Sequence, residues 1–122
     1  MRSTSIWASF GQALAGVTFV VRTQRNARIH LTVAALVTAL AAFLSIELRD
    51  WAILALTIGA VLAAEMGNTV IEAAVDLASP EQHELARIAK DAAAGAVLLL
   101  ATTSIVVGLL VLGPPLYARL FS

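Results

Sequence analysis

The sequence predicts an all-α fold built into a membrane: a helical bundle with three transmembrane helices and an N-terminal amphipathic surface helix. Three observations carry that prediction. The 122 residues are 60% hydrophobic and only 13% charged, whereas soluble domains are about a quarter charged. Three apolar stretches are long enough to enter a bilayer. The polar residues at the end of the second stretch recur at helical spacing. The length allows one domain, spanning 1–122.

The elements follow in order. Residues 5–21 hold Phe10, Leu14, Val17 and Val21 at spacings of three and four, with Ser9, Gln12 and Thr18 among small residues between them. Such a helix lies on the membrane surface or packs on the bundle, and the spacing fits both equally. Arg22, Arg25 and Arg28 follow it. The first span is about 29–46, closed by the polar turn Glu47-Leu48-Arg49-Asp50. The second, about 51–75, begins at Trp51 and carries acidic residues toward its end. A polar connection from Leu77 to Glu84 contains Ser79-Pro80, which predicts Ser79 as a cap and Pro80 at the first helical position. Glu84 to Asp91 reads as helix leading into the third span, about 92–112. That span is free of charge and covers about 30 Å at the helical rise. Gly113-Pro114-Pro115 is expected to end it.

Composition excludes several classes. Net charge is zero, so no large basic field points to nucleic acid. Cysteine is absent, which removes disulfides, thiolate chemistry and cysteine-ligated metals. There is no Gly-x-x-x-x-Gly-Lys-[Ser/Thr] loop, no His-Glu-x-x-His and no Gly-x-Ser-x-Gly. The N-terminus does not read as a cleaved signal, because the first long apolar run starts near Ile29 behind three arginines. Of the eight basic residues, Arg2, Arg22, Arg25, Arg28, Arg87 and Lys90 fall on one side of the three spans, leaving Arg49 and Arg119 on the other. The richer side is expected to be cytoplasmic.

Chemistry concentrates in one stripe. Glu65, Asn68, Thr69, Glu72 and Asp76 fall at i, i+3, i+4, i+7 and i+11, hence on one helical face. An ionised carboxylate at membrane depth costs at least about 2–3 kcal/mol. Several on one face call for protons, cations or a metal. The bland alternative, a solvated face just past the bilayer edge, would usually mix in lysine and arginine. Glu65 is the deeper residue and the candidate general base toward a hydroxyl arriving from the lipid phase. Glu72, two turns on, is the candidate Mg²⁺ ligand. Asn68 and Thr69 are placed to orient either group. Lys90-Asp91 opens the third span; on spacing alone, capping and interfacial anchoring account for the pair better than a phosphate contact does. Glu81-Gln82-His83-Glu84 is either a polar loop or a nucleotide or metal contact. In Arg25-Asn26-Ala27-Arg28-Ile29-His30 the arginines suit lipid phosphates, with a nucleotide-phosphate role for Arg28 as the sharper reading, and His30 reads as an interfacial histidine.

The run from Ala64 to Asp76, Glu-x-x-Asn-Thr-x-x-Glu-x-x-x-Asp, resembles the signature of the small bacterial diacylglycerol kinase and undecaprenol kinase family. So do Ser79-Pro80-Glu81-Gln82-His83, the run Ala89-Lys90-Asp91 through Val97, and Arg25 to His30. The likeness covers about Ser9 to Leu112. The Glu-Met-x-Asn-Thr and Arg-x-His-Leu forms are more like the undecaprenol kinase branch. The resemblance implies a homotrimer with active sites shared between neighbouring subunits, MgATP as donor, and direct phosphoryl transfer to a lipid alcohol in the bacterial inner membrane. It implies Glu65 as catalytic base and Glu72 as metal ligand. It implies nucleotide contacts at Glu81, His83, Lys90 and Asp91, with Asn68 and Asp76 as further polar residues of the site. Gln24 stands where the family usually has a second metal-binding glutamate; an amide oxygen can coordinate Mg²⁺ but lacks the charge. The rival from another class is an oligomeric ion or proton pathway lined by the stripe. Lys90-Asp91, Glu81 and His83 favour the kinase, because a pore has no need of a nucleotide-contacting set.

Overall fold

The structure is a computed structural model that describes residues 5–81 and 83–122; Arg2 and Gln82 lie outside the described residues. Four helices follow in order: α1 (Ile6–Thr23), α2 (Arg25–Leu44), α3 (Leu48–Ala78) and α4 (Glu84–Phe121). The last three are long and apolar enough to cross a membrane. Large apolar side chains point outward along all of them, among them Leu36, Leu56, Leu98 and Leu110. Water would make such a surface untenable. A hydrocarbon solvent makes it ordinary. The core within one chain is accordingly small: Ala41, Leu54 and Leu112, with Val37, Leu40, Ile46 and Trp51 packed around them.

α1 carries Trp7, Phe10, Leu14 and Val17 as an exposed apolar stripe, while Val20 near its end is buried. The helix touches both α2 and α3, so it packs on the bundle while an apolar face stays open. Gln24 alone separates α1 from α2, with extended φ −106° and ψ 112°. Arg28 bridges the joint: its Nη1 donates to the carbonyls of Val21 and Arg22 at 3.1 and 2.8 Å, satisfying the open end of α1.

α2 ends in a left-handed turn. Ser45 sits at φ 53° and ψ 53°, its N–H donates to the Ala42 carbonyl at 3.2 Å, and the Ile46 N–H donates to the Ala41 carbonyl at 3.4 Å. This pair of bonds closes the helix as a Schellman motif. Ile46 then packs on the Ala41 cluster, and α3 starts two residues later.

α3 has 31 residues, about 46 Å of helix. A bilayer core takes about 30 Å, so α3 is longer than the hydrocarbon is thick. Every described threonine donates to the carbonyl four residues back, as Thr57 does to Ile53 at 2.7 Å and Thr102 to Leu98 at 2.9 Å. That arrangement satisfies the hydroxyl within its own helix.

Two expectations are corrected. The cap of α4 is His83, not Ser79: His83 Nδ1 accepts from the Leu85 N–H at 3.1 Å and α4 begins at Glu84. Ser79 instead caps the C-terminus of α3 and its hydroxyl donates to the Glu81 carbonyl at 3.2 Å. Nor does Gly113-Pro114-Pro115 end the last helix, which runs on to Phe121 with both prolines inside. Each proline removes one backbone bond. The segment beyond is held by side chains instead. Arg119 stacks over the Phe43 ring at 4.4 Å, and Tyr117 meets Phe121 at 4.8 Å between ring centroids.

Candidate active site

The site has two parts, both set by α3. The first is the buried end of the stripe. Glu65 retains only 3% of its exposure, the one charged side chain among the buried described residues. It comes one turn after Val61 and Leu62, which line an apolar groove of about 340 Å³ between α2, α3 and α4. His30, on the second turn of α2, stands at the end of that groove and places Nε2 3.1 Å from Glu65 Oε1. The two lie within ion-pair distance, yet their geometry does not make a hydrogen bond. Glu65 Oε1 and Asn68 Oδ1 therefore remain buried acceptors without a donor among the described residues. Unmet buried acceptors are costly. An incoming O–H group would satisfy one of them.

The groove is almost wholly aliphatic, from Val33 and Leu40 through Leu54 to Leu109 and Leu116. Its hydroxyls belong to Thr57 and Ser104, and both are already bonded to backbone, to Ile53 O at 2.7 Å and Ala101 O at 2.6 Å.

The second part is a polar depression of about 280 Å³ where the end of α3 meets the start of α4. Glu81, His83, Lys90 and Asp91, separated in sequence by the loop, line it together. Lys90 Nζ pairs with Asp76 Oδ1 and so ties α4 to the polar face of α3. Glu72 adds its field to the same ammonium group. Arg87 lines the depression as well, 3.1 Å from Asp91 and 3.8 Å from Glu84. Cations and carboxylates here are mutually paired at an exposed surface, where such pairs exchange readily for a charged ligand.

The chain belongs to the prokaryotic diacylglycerol kinase family. That family matches residues 11–112, and two relatives extend the match. A protein of Synechocystis sp. named diacylglycerol kinase is 46% identical over 113 residues, covering 92% of this chain and 65% of the relative. A protein of Bacillus subtilis named undecaprenol kinase is 40% identical over 108 residues, covering 88% of each. The chain thus spans just under two thirds of the first relative's length and most of the second's.

Within this kinase family the donor set bears on a metal. Glu72 is half-buried and makes no hydrogen bond or close ion pair among the described residues. A single open carboxylate suits Mg²⁺, which takes one or two from protein and the rest from water and phosphate. No group of three histidine or acidic side chains converges among the described residues. Gln24 lies at the α1–α2 joint, where its Nε2 donates to Thr23 Oγ1 at 3.3 Å, leaving the amide oxygen open. The structure does not bring Gln24 and Glu72 into contact.

Two residues have uses that the sequence reading did not give them. Thr69 donates to the Glu65 backbone carbonyl at 3.0 Å and so supports the helix rather than the carboxylate. Arg28 commits its Nη1 to the end of α1. Two others were undervalued. Arg87 was counted only as a charge, although its spacing of four from both His83 and Asp91 puts it on their face. His30 was read as interfacial, because its meeting with Glu65 depends on the register of α2 against α3, which no local pattern encodes.

Proposed function

We propose that this chain is an ATP-dependent lipid kinase that phosphorylates undecaprenol to undecaprenyl phosphate, working as a homotrimer with shared sites in the bacterial inner membrane. The observation that carries the reading is a buried carboxylate with an open oxygen, Glu65, at the end of an aliphatic groove. The lipid hydroxyl gives its proton to Glu65 as its oxygen attacks the γ-phosphorus of ATP, and ADP leaves on the opposite side. Lys90 and Arg87, with Glu81, His83 and Asp91, hold the nucleotide in the polar depression; Asp76 releases Lys90 to the phosphates. Asn68 lies one turn from the base and holds the hydroxyl end in place. Glu72, with the Gln24 amide of this or a neighbouring chain, would hold Mg²⁺, which would neutralise charge on the transferring phosphoryl group. The excess of basic residues on one side of the spans supports a cytoplasmic site.

The groove favours a polyprenol. Diacylglycerol carries ester carbonyls that seek hydrogen-bond donors, whereas the hydroxyl protons of Thr57 and Ser104 are committed to backbone. A polyprenol tail asks for apolar contact alone. Diacylglycerol is the second reading, favoured by the name of the 46% identical relative. Purified protein, radiolabelled ATP and a panel of lipid alcohols resolved by chromatography decide between them. Label in undecaprenol supports the first reading and label in diacylglycerol the second. Label in neither withdraws the kinase.

A further inference from the structure

Glu65 must satisfy two demands. A general base works only within about 2.6–3.2 Å of the proton it takes, so its carboxylate must be held in place. It must also keep a lone pair free, which a carboxylate with about four acceptor sites can do while one group holds it. Its own helix offers no support. The Thr69 hydroxyl goes to the Glu65 backbone carbonyl, and Asn68 Oδ1 is itself an acceptor. No lysine or arginine of the described chain pairs with the carboxylate.

His30 meets both demands. Its Nε2 lies 3.1 Å from Glu65 Oε1, within reach to donate to the carboxylate, and acceptor sites remain open for the hydroxyl. The same ring is the only titratable side chain among the described residues that line the aliphatic groove. It therefore stands where a lipid head must pass to reach the base, and its side chain keeps 24% of its exposure while Glu65 is closed off.

We propose that His30 is a positioning residue: it holds the Glu65 carboxylate and sets the acceptor hydroxyl against it. This rests on the reading of Glu65 as base of a lipid kinase. A purely structural histidine, there only to make a buried carboxylate tolerable, would change stability but not turnover in folded protein. Misplacing a reacting group by about 1 Å lowers rate by up to about a hundredfold. A donor of equal reach should restore the placement.

The test uses the full chain in detergent micelles and compares His30→Phe, which keeps a ring but removes the polar nitrogen, with His30→Gln, whose amide reaches a similar distance. Steady-state kinetics are measured against lipid alcohol and against ATP. The expected result is kcat at least about tenfold lower in His30→Phe, KM for ATP unchanged, and His30→Gln within about threefold of wild type. His30→Phe with wild-type kcat overturns the proposal, as does a folded His30→Gln no better than His30→Phe. If His30→Phe does not fold, His30→Met replaces it. Loss of fold in both apolar variants makes the histidine structural and also overturns the proposal. A wild-type protein that labels no lipid alcohol is a different failure: it removes the kinase reading, and the proposal falls with it.

Discussion

Replacing Glu65 with glutamine should separate stability from function. The carboxylate is 3% exposed and one of its oxygens has no donor. Burying an ion costs several kcal/mol even after relaxation, about 3–5 when it loses its partner. Glu65 recovers part of that through the 3.1 Å approach of His30. Glutamine keeps the shape and removes the charge. The partner left behind, His30, keeps 24% of its side-chain exposure, so it is not sealed off without solvent. The balance is therefore zero or favourable, and Glu65→Gln should unfold at the same temperature as wild type or higher. An amide cannot accept the hydroxyl proton, so turnover should fall at least about a hundredfold, or about 2.7 kcal/mol in barrier. The assay pairs thermal unfolding in micelles with phosphoryl transfer from radiolabelled ATP. Near-normal turnover in folded Glu65→Gln removes the residue from the chemistry. Reduced activity with an unfolding temperature lower by more than about 5 °C, more than about 1 kcal/mol for a chain of this size, refutes the argument that the carboxylate is held at a cost.

Three further outcomes are expected. Ser45→Gly should stabilise by up to about 1 kcal/mol, because Ser45 holds φ 53° in the turn closing α2 and the left-handed region penalises a Cβ by about 1–2 kcal/mol, partly offset by glycine's chain entropy; thermal unfolding reads this, with turnover unchanged. Glu72→Gln should raise the free Mg²⁺ needed for half-maximal rate at fixed ATP, and an unchanged curve would place the metal elsewhere. Gln24→Glu should lower that requirement, since added charge strengthens a divalent site; Gln24→Ala should raise it, and three superimposable curves would take residue 24 out of the metal shell.

What the sequence could and could not tell follows from the range of the forces involved. The spans were legible because hydropathy is summed over many residues, and the Glu65–Asp76 stripe because helical period is local. The depression at Glu81, His83, Lys90 and Asp91 was reached only through resemblance; spacing alone left Lys90 and Asp91 as an anchor and a cap. The ends of elements were misread where competing donors decide. His83 and Ser79 can each cap a helix, and the structure gives α4 to His83 because its Nδ1 reaches the Leu85 N–H. Pro114 and Pro115 break local bonds, but the helix continues to Phe121, and Arg119 over Phe43 joins residues far apart in sequence that no local pattern pairs. The His30–Glu65 meeting is of the same kind. It joins residues on two helices through a turn whose left-handed serine gives no glycine signal.

The order of groups along α3 matches the order of events in the proposed transfer. Glu65 comes first, Glu72 about 10 Å further along and Asp76 with its Lys90 partner about 6 Å beyond that, at the helical rise. A lipid hydroxyl rising through the groove meets the base. A triphosphate anchored at Lys90 extends back along the same face past Glu72. In the proposed transfer the two substrates approach from opposite ends of one helix, an arrangement that suits attacking and leaving oxygens in line. This explains why α3 outruns the bilayer. A helix cut off at the membrane surface would keep the base and the groove but lose the face on which the nucleotide is laid out. In the proposed transfer Glu65, the buried carboxylate among the described residues, meets the reactant arriving from the hydrocarbon, while Glu72 and Asp76 meet the one arriving from water.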